Sequence, residues 1–86
     1  MYFEALDDVI SEHLRKSGKT QAALAGEMNM SPNTFAWKRK GENGKEFKMS
    51  ELLRLCDIVG VDLDDVMVEQ RDKYGWPDLD AAGDAV

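Results

Sequence analysis

The sequence predicts an all-α fold of five helices, because two features recur along its first 70 residues. Apolar residues return at steps of three and four, which is the period of a helix with one buried face. Residues that favour helix starts precede these segments, and glycine or asparagine often follows them. The chain has one cysteine and one histidine, so neither an internal disulfide nor the usual zinc site can stabilise it. An apolar core, or one extended by self-association, must therefore hold the helices together.

The first predicted helix runs from about residue 2 to residue 17. Acidic residues lie in its early turns and basic residues in its last, an order that suits the helix dipole. Gly18 then ends it. The apolar stripe that should face the core consists of Phe3, Leu6, Ile10 and Leu14.

A second and a third helix follow, with a tight turn between them. The second runs from residue 21 to about 28, and the third from 32 to about 40. Asn29 takes the turn, because asparagine tolerates left-handed backbone better than most residues. Ser31 caps the third helix, since its hydroxyl can accept a hydrogen bond from a free backbone N–H.

The next predicted elements are a loop and two more helices. The loop, residues 41–47, contains an Asn-Gly turn signal and can form a short hairpin. Ser50 is the predicted cap of a fourth helix over residues 51–59, and Asp62 that of a fifth over residues 63–70.

The chain divides into a helical domain, residues 1–70, and an acidic tail, residues 71–86. Helical periodicity ends near residue 70, and the final DLDAAGDAV is small and acidic. We expect the tail to be mostly disordered or to support a dimer. Spare apolar side chains suited to dimer contacts are those of Met67, Tyr74 and Trp76.

The charges are distributed unevenly along the chain. The formal net charge is −6, yet residues 15–48 carry eight cations against three anions, a net of +5. The flanks carry three cations and fourteen anions, a net of −11. An acidic protein can still bind nucleic acid if its cations share one face.

The segment TQAALAGEMNMSPNTFAWK, residues 20–38, has the features of a helix-turn-helix. Ala25 is small at the point where the two helices should cross closely. A rigid pair of this kind leaves the outer face of its second helix free to enter a major groove. The wedge of core that fixes the crossing angle consists of Leu24, Met28, Met30 and Phe35.

This segment, together with FKMSELLRLCDIVGVDLDDVM downstream, resembles the Cro and lambda-repressor-like (Xre-type) helix-turn-helix domain of phage and bacterial regulators. The resemblance covers about residues 3–68 and implies a five-helix lambda-repressor-like bundle whose third helix reads operator DNA. The chain departs from the family at Pro32, where many members carry a polar reading residue. It also departs at Lys38, a position that is often apolar.

The resemblance further implies which residues contact DNA. Asn can pair with adenine through two hydrogen bonds, and a Thr methyl can contact a thymine methyl. The implied base-reading residues are Asn33, Thr34 and Trp37. Trp37 can alternatively cover the loop near Phe47, and Gln21 either meets a phosphate or braces a reading residue. The implied contacts to the DNA backbone are Lys19, Gln21, Ser31, Lys38, Lys40, Lys45 and Lys48.

The sequence thus predicts a sequence-specific DNA-binding transcriptional regulator of the phage or bacterial repressor type. We expect a cytoplasmic protein that binds double-stranded operator DNA as a homodimer, with no cofactor, metal, membrane or small-molecule ligand. No Ser/His/Asp set, phosphate loop or zinc signature occurs, so an enzyme is not expected. The alternative is a helical protein-interaction module, antitoxin-like or a regulator-binding subunit, without DNA specificity of its own.

Overall fold

The computed structural model describes residues 2–76, which form five α-helices and no strand. The helices are α1 (Glu4–Ser17), α2 (Gln21–Glu27), α3 (Pro32–Lys40), α4 (Met49–Val59) and α5 (Leu63–Glu69). A 3₁₀ turn, Glu42–Gly44, lies in the loop where a hairpin was possible. Within residues 2–76, no helix is both long and apolar enough to span a bilayer. The prediction of an all-α, five-helix fold is confirmed.

Short polar side chains start the two helices of the central pair. The Thr20 hydroxyl accepts a hydrogen bond from the Ala23 backbone N–H (3.1 Å), and α2 begins at the next residue after this cap. The Ser31 hydroxyl accepts one from the Thr34 N–H (3.2 Å) and so caps α3 as predicted. Asn29, between the helices, has a φ of 57°, which confirms its role in the turn.

The start of α4 differs from the prediction. The helix begins at Met49 and Lys48 holds the N-cap position, so Ser50 lies inside the helix and the prediction that it is the cap is wrong. The Glu51 carboxylate accepts a hydrogen bond from the Lys48 backbone N–H (2.7 Å) and stabilises this earlier start. Asp62 does hold the N-cap position of α5, but its side chain makes no capping hydrogen bond.

Side chains from all five helices meet in one core. Ile10, Leu24, Phe35 and Leu55 are fully buried at its centre, one from each of α1 to α4, and Val66 adds α5. The Phe47 ring packs edge-on against Phe35, with ring centroids 5.7 Å apart. The core therefore fixes α3 against α1, α2 and the loop that follows it.

A buried glutamine fastens the end of α5 to the start of α1. Gln70 is fully buried, and its Oε1 accepts a hydrogen bond from the Ala5 backbone N–H (2.9 Å). Its Nε2 donates to the Glu4 carboxylate (3.1 Å) and to the Gly75 carbonyl (2.7 Å). This network satisfies one of the free N–H groups in the first turn of α1.

The chain after α5 continues as a π-helical turn, Gln70–Tyr74. The Tyr74 hydroxyl donates a hydrogen bond to the Asp8 carboxylate, which raises the pKa of Tyr74 to about 12. Residues 71–74, which were predicted to belong to the tail, are helical. The hydrogen bonds of Gln70 and Tyr74 hold them against α1. The rest of the predicted tail, residues 77–86, lies outside the described residues.

Candidate nucleic-acid interface

The pair α2 and α3 is joined by a short turn that its backbone holds in place. The Met30 N–H donates to the Ala25 carbonyl (2.9 Å), which closes the turn over the end of α2. Leu24 and Ala25 of α2 and Phe35 of α3 are fully buried. The two helices are thus packed through their inner faces, and the outer face of α3 is left for other contacts.

The first half of α3 presents polar side chains outward. Asn33 is exposed, and its amide makes no hydrogen bond within residues 2–76. Thr34 is partly exposed, and its hydroxyl accepts a hydrogen bond from the Ser31 hydroxyl (2.9 Å). Of these predicted contact residues, Asn33 is free to pair with a base edge. Ser31 and Thr34 are instead hydrogen-bonded to each other.

Trp37 lies one turn after Asn33 and is half-buried. The alternative was that Trp37 covers the loop near Phe47. Phe47 instead contacts the Phe35 ring, and among the described residues no ring contact joins it to Trp37. Trp37 is also absent from the apolar residues packed on the core. It therefore occupies the border between the outer face of α3 and the protein interior.

Lys38 forms an ion pair with α4. Its Nζ lies 2.8 Å and 2.9 Å from the two carboxylate oxygens of Glu51, and both side chains are mostly buried. Burial of the Glu51 carboxyl raises its pKa, but the hydrogen bonds from Lys38 and from the Lys48 backbone lower the pKa by more. The Lys38 ammonium, a predicted phosphate contact, is thus already engaged by a carboxylate.

Arg39 and Lys40 share a second carboxylate, that of Asp7 in α1. Arg39 Nε donates to Asp7 Oδ1, and the Lys40 Nζ lies 2.9 Å from Asp7 Oδ2. The Tyr2 hydroxyl donates to the same Oδ2 (3.3 Å). Burial raises the pKa of Asp7, yet the hydrogen bonds from Lys40 and Arg39 together hold it below its usual range. The same contact raises the pKa of Lys40.

Gln21, the first residue of α2, contacts Arg39. Its Oε1 accepts a hydrogen bond from Arg39 Nη1 (2.7 Å), while its Nε2 has no partner within the described part of the chain. Sequence reasoning missed Arg39 and Asp7 as parts of this region. Asp7 was interpreted only as an acid near a helix start, and no local pattern shows that its carboxylate faces α3.

The other predicted backbone-contacting lysines lie outside α3. The Lys19 Nζ pairs with the Glu27 carboxylate (3.0 Å), and both side chains are well exposed. Lys45 and Lys48, in the loop before α4, are exposed. In the described chain neither of their ammonium groups forms a hydrogen bond or an ion pair. The predicted set thus divides into lysines that form an ion pair with a carboxylate and two loop lysines that do not, although the charge of Lys48 helps to lower the pKa of Glu51.

The family model of the Cro/C1-type helix-turn-helix DNA-binding domain matches residues 9–72. This range contains all of α2 to α5, most of α1, and the loop that carries Lys45 and Lys48. No curated protein and no solved structure matches the chain significantly.

Proposed function

The chain belongs to the family of Cro/C1-type helix-turn-helix DNA-binding domains, and we propose that it is a transcriptional regulator that reads a specific operator with α3. The observation that carries the proposal is the exposed, unpaired amide of Asn33 at the start of α3. An asparagine amide in the major groove can form two hydrogen bonds with adenine. Thr34, the next residue, and Trp37, one turn further along α3, complete the proposed base-reading set.

We assign the contacts with the DNA backbone chiefly to side chains that do not already hold a carboxylate. Lys45 and Lys48 are exposed cations in the loop after α3, and the Gln21 amide offers free N–H donors. Lys19 is well exposed, so its pair with Glu27 can exchange for a phosphate at little cost. Ser31 remains a proposed contact through its hydroxyl.

Lys38 and Lys40 contribute less to phosphate binding in this proposal. Each would have to leave a carboxylate, Glu51 or Asp7, before it could bind a phosphate. Separating Lys38 from Glu51 would leave a mostly buried carboxylate without its cation, which is unfavourable. Lys40 is 45% exposed, so its charge can attract DNA from where it lies.

We further propose that two copies bind the operator as a repressor dimer on half-sites about 34 Å apart. Of the predicted dimer contacts, Met67 packs on the core and Tyr74 bonds to Asp8, while Trp76 is 52% exposed. Met49 and Leu53, four residues apart on α4, are 63% and 54% exposed. We therefore propose α4 as the main contact and Trp76 as an additional one.

Charges beside this apolar pair favour a second copy of the chain as its occupant. Arg54 and Asp57 are both exposed, carry opposite charges and lie on the same side of α4 as Leu53. In a two-fold contact each helix can place its arginine against the aspartate of the other, because such an interface is self-complementary. Sedimentation of Leu53→Glu, with Trp76→Glu beside it, tests this surface. A Leu53→Glu protein that sediments as wild type at every concentration contradicts it.

Selection of bound duplexes from a random pool tests the proposed function. Wild type should enrich a two-fold sequence and bind it far more tightly than a shuffled duplex of equal length and composition. Binding that is equal for both duplexes contradicts operator reading. Failure to bind either duplex at low salt favours the alternative, a helical protein-interaction module. The carboxylate pairing of the α3 cations supports that alternative, since it leaves fewer charges free for phosphate.

A further inference from the structure

The guanidinium of Arg39 lies where three helices meet. Its Nε and Nη2 groups donate to the Asp7 carboxylate and to the Ser11 hydroxyl of α1, and Nη1 donates to Gln21 Oε1 of α2 (2.7 Å). Only 11% of the Arg39 side chain is exposed, and its charge faces that of Asp7. Arg39 is therefore poorly placed to contact DNA itself. Its contacts with α1 hold it in position beside Gln21, which is partly exposed.

The contact with Arg39 determines which way the Gln21 amide points. A guanidinium has donors and no acceptor, so only the amide oxygen can face it. The amide N–H groups must then point away from Arg39. Gln21 is partly exposed, and its Nε2 has no partner in residues 2–76. The terminal torsion of a glutamine that lacks such a partner is broad and nearly two-fold, so it would present oxygen about as readily as nitrogen.

We propose that Arg39 is a positioning residue for DNA binding, which holds the Gln21 amide so that its two N–H donors face a phosphate. The inference rests on the proposed function, since it requires that α2 and α3 dock on DNA. A phosphate oxygen accepts hydrogen bonds and repels an amide oxygen, so the orientation matters. Arg39 removes the unproductive orientation before DNA arrives, and the cost of ordering the amide is already met in the free protein.

Arg39 is the middle residue of three consecutive cations, Lys38 to Lys40, and the arrangement gives it a role that its charge alone would not suggest. Asp7 positions Arg39, and Arg39 positions Gln21. Of these three residues, only Gln21 contacts DNA. The charge of Arg39 faces the Asp7 carboxylate, and Arg39 acts on DNA only by fixing the orientation of the Gln21 amide.

Two substitutions at Gln21 test the first step. Gln21→Glu retains oxygens that can accept from Arg39 but has no N–H, whereas Gln21→Met removes both functions without adding charge. We expect a thermal midpoint for Gln21→Glu at or above that of wild type. We also expect affinity for the selected duplex to fall about tenfold or more in both variants, the usual effect of losing a hydrogen bond to a charged group. Wild-type affinity in the Met variant would overturn the proposal, because repulsion alone would then explain any loss in the Glu variant.

A double-mutant cycle tests the second step, the action of Arg39 through Gln21. Arg39→Lys keeps the positive charge beside Asp7 but loses the planar set of donors that reaches Gln21. Its affinity for DNA should fall several-fold in the wild-type background and remain unchanged when Gln21 is already Met. An equal loss in both backgrounds would overturn the proposal, since a role in folding alone does not depend on Gln21.

The cycle is measured well below the thermal midpoint of every variant, so that all four proteins are folded. Wild type bound to the selected duplex is the reference for each comparison. If wild type binds no duplex, the proposed function fails, and the role of Arg39 in DNA binding fails with it. If wild type binds and the cycle shows no coupling, only the role of Arg39 fails.

Discussion

The two halves of α3 differ in what their side chains contact. In the first half, Asn33 is exposed and unpaired, and Thr34 bonds only to the neighbouring Ser31. In the second half, Lys38 and Arg39 each hold a carboxylate from another helix, and Lys40 shares that of Arg39. The cations that would suggest a nucleic-acid-binding helix therefore form ion pairs that attach α3 to α1 and α4. The uncharged half is the one left open to a ligand.

Burial explains why this difference matters energetically. The side chains of Arg39 and Asp7 are 11% and 12% exposed, so their charges are poorly screened by water. Removing one partner of such a pair is costly, because the other charge is left without compensation. An exposed pair of the same kind contributes little, since solvent screens it. Mutations can therefore separate the anchoring half of α3 from the reading half.

The largest expected effect is that of Asp7→Ala on folding. The substitution leaves the Arg39 guanidinium without its carboxylate and also removes the partner of Lys40. We expect the free energy of unfolding to fall by about 3 kcal/mol, the lower end for breaking a buried ion pair. Denaturation by urea measures it. Glu12→Ala, also in α1 and also paired with an arginine, is the control. Both members of that pair are exposed, so no measurable change is expected. Equal losses in the two variants would contradict the anchoring role.

The same carboxylate predicts a dependence of stability on pH. The pKa of Asp7 is lowered in the folded protein, so the folded state binds this proton less readily than the unfolded chain does. The contribution of Asp7 is therefore fully present above the ordinary aspartate pKa of about 4 and is lost as the pH falls below it. The urea midpoint of wild type should fall more steeply over this range than that of Asp7→Asn. Parallel curves would show that Asp7 is not the group responsible.

Asn33→Ala should act on DNA binding rather than on folding. The exposed amide makes no hydrogen bond within residues 2–76, so its loss should leave the urea midpoint unchanged. Affinity for the selected duplex should fall by about 1–3 kcal/mol, and discrimination at one base pair should weaken. Gel shifts on the selected duplex and on its single-base variants measure both quantities. A uniform loss on every duplex would mean that Asn33 does not read a base.

A smaller effect, on stability rather than on DNA binding, is expected for Lys38→Met. This change leaves Glu51 with its hydrogen bond from the Lys48 backbone but without its ammonium partner. We expect the free energy of unfolding to fall by about 1–2 kcal/mol, because the pair is mostly buried. The salt dependence of DNA binding should stay the same. A shallower salt dependence with unchanged stability would restore Lys38 as a phosphate contact.

The sequence predicts the helix ends better than it predicts the ion pairs. A helix end depends on residues a few positions apart in the chain, whereas these ion pairs join residues far apart. The predicted Ser31 cap acts on a residue three positions away, and the Asn29 turn needs only its own backbone conformation. Ser50 was misassigned within this same local range, because Glu51 supports a helix start two residues earlier.

The partners of the α3 cations could not be predicted because they come from distant parts of the chain. Asp7 lies 32 residues before Arg39, and Glu51 lies 13 residues after Lys38. These pairings exist only once the core has placed α1 and α4 beside α3. A run of three cations shows that something negative will be held there, but not whether it is a phosphate or a carboxylate of the same chain.

Lys45→Met gives the smallest expected effect and separates the loop from α3. The Lys45 ammonium is exposed and pairs with no carboxylate of residues 2–76, so stability should not change. If Lys45 lies on a phosphate, the slope of log affinity against log salt should become shallower by about one. The loss should be similar on selected and shuffled duplexes, because a phosphate contact carries no sequence information. An unchanged slope would place Lys45 away from DNA. Lys38→Met should instead lower stability and leave the salt slope unchanged. Comparison of the two variants therefore shows which lysine acts on DNA and which on the fold.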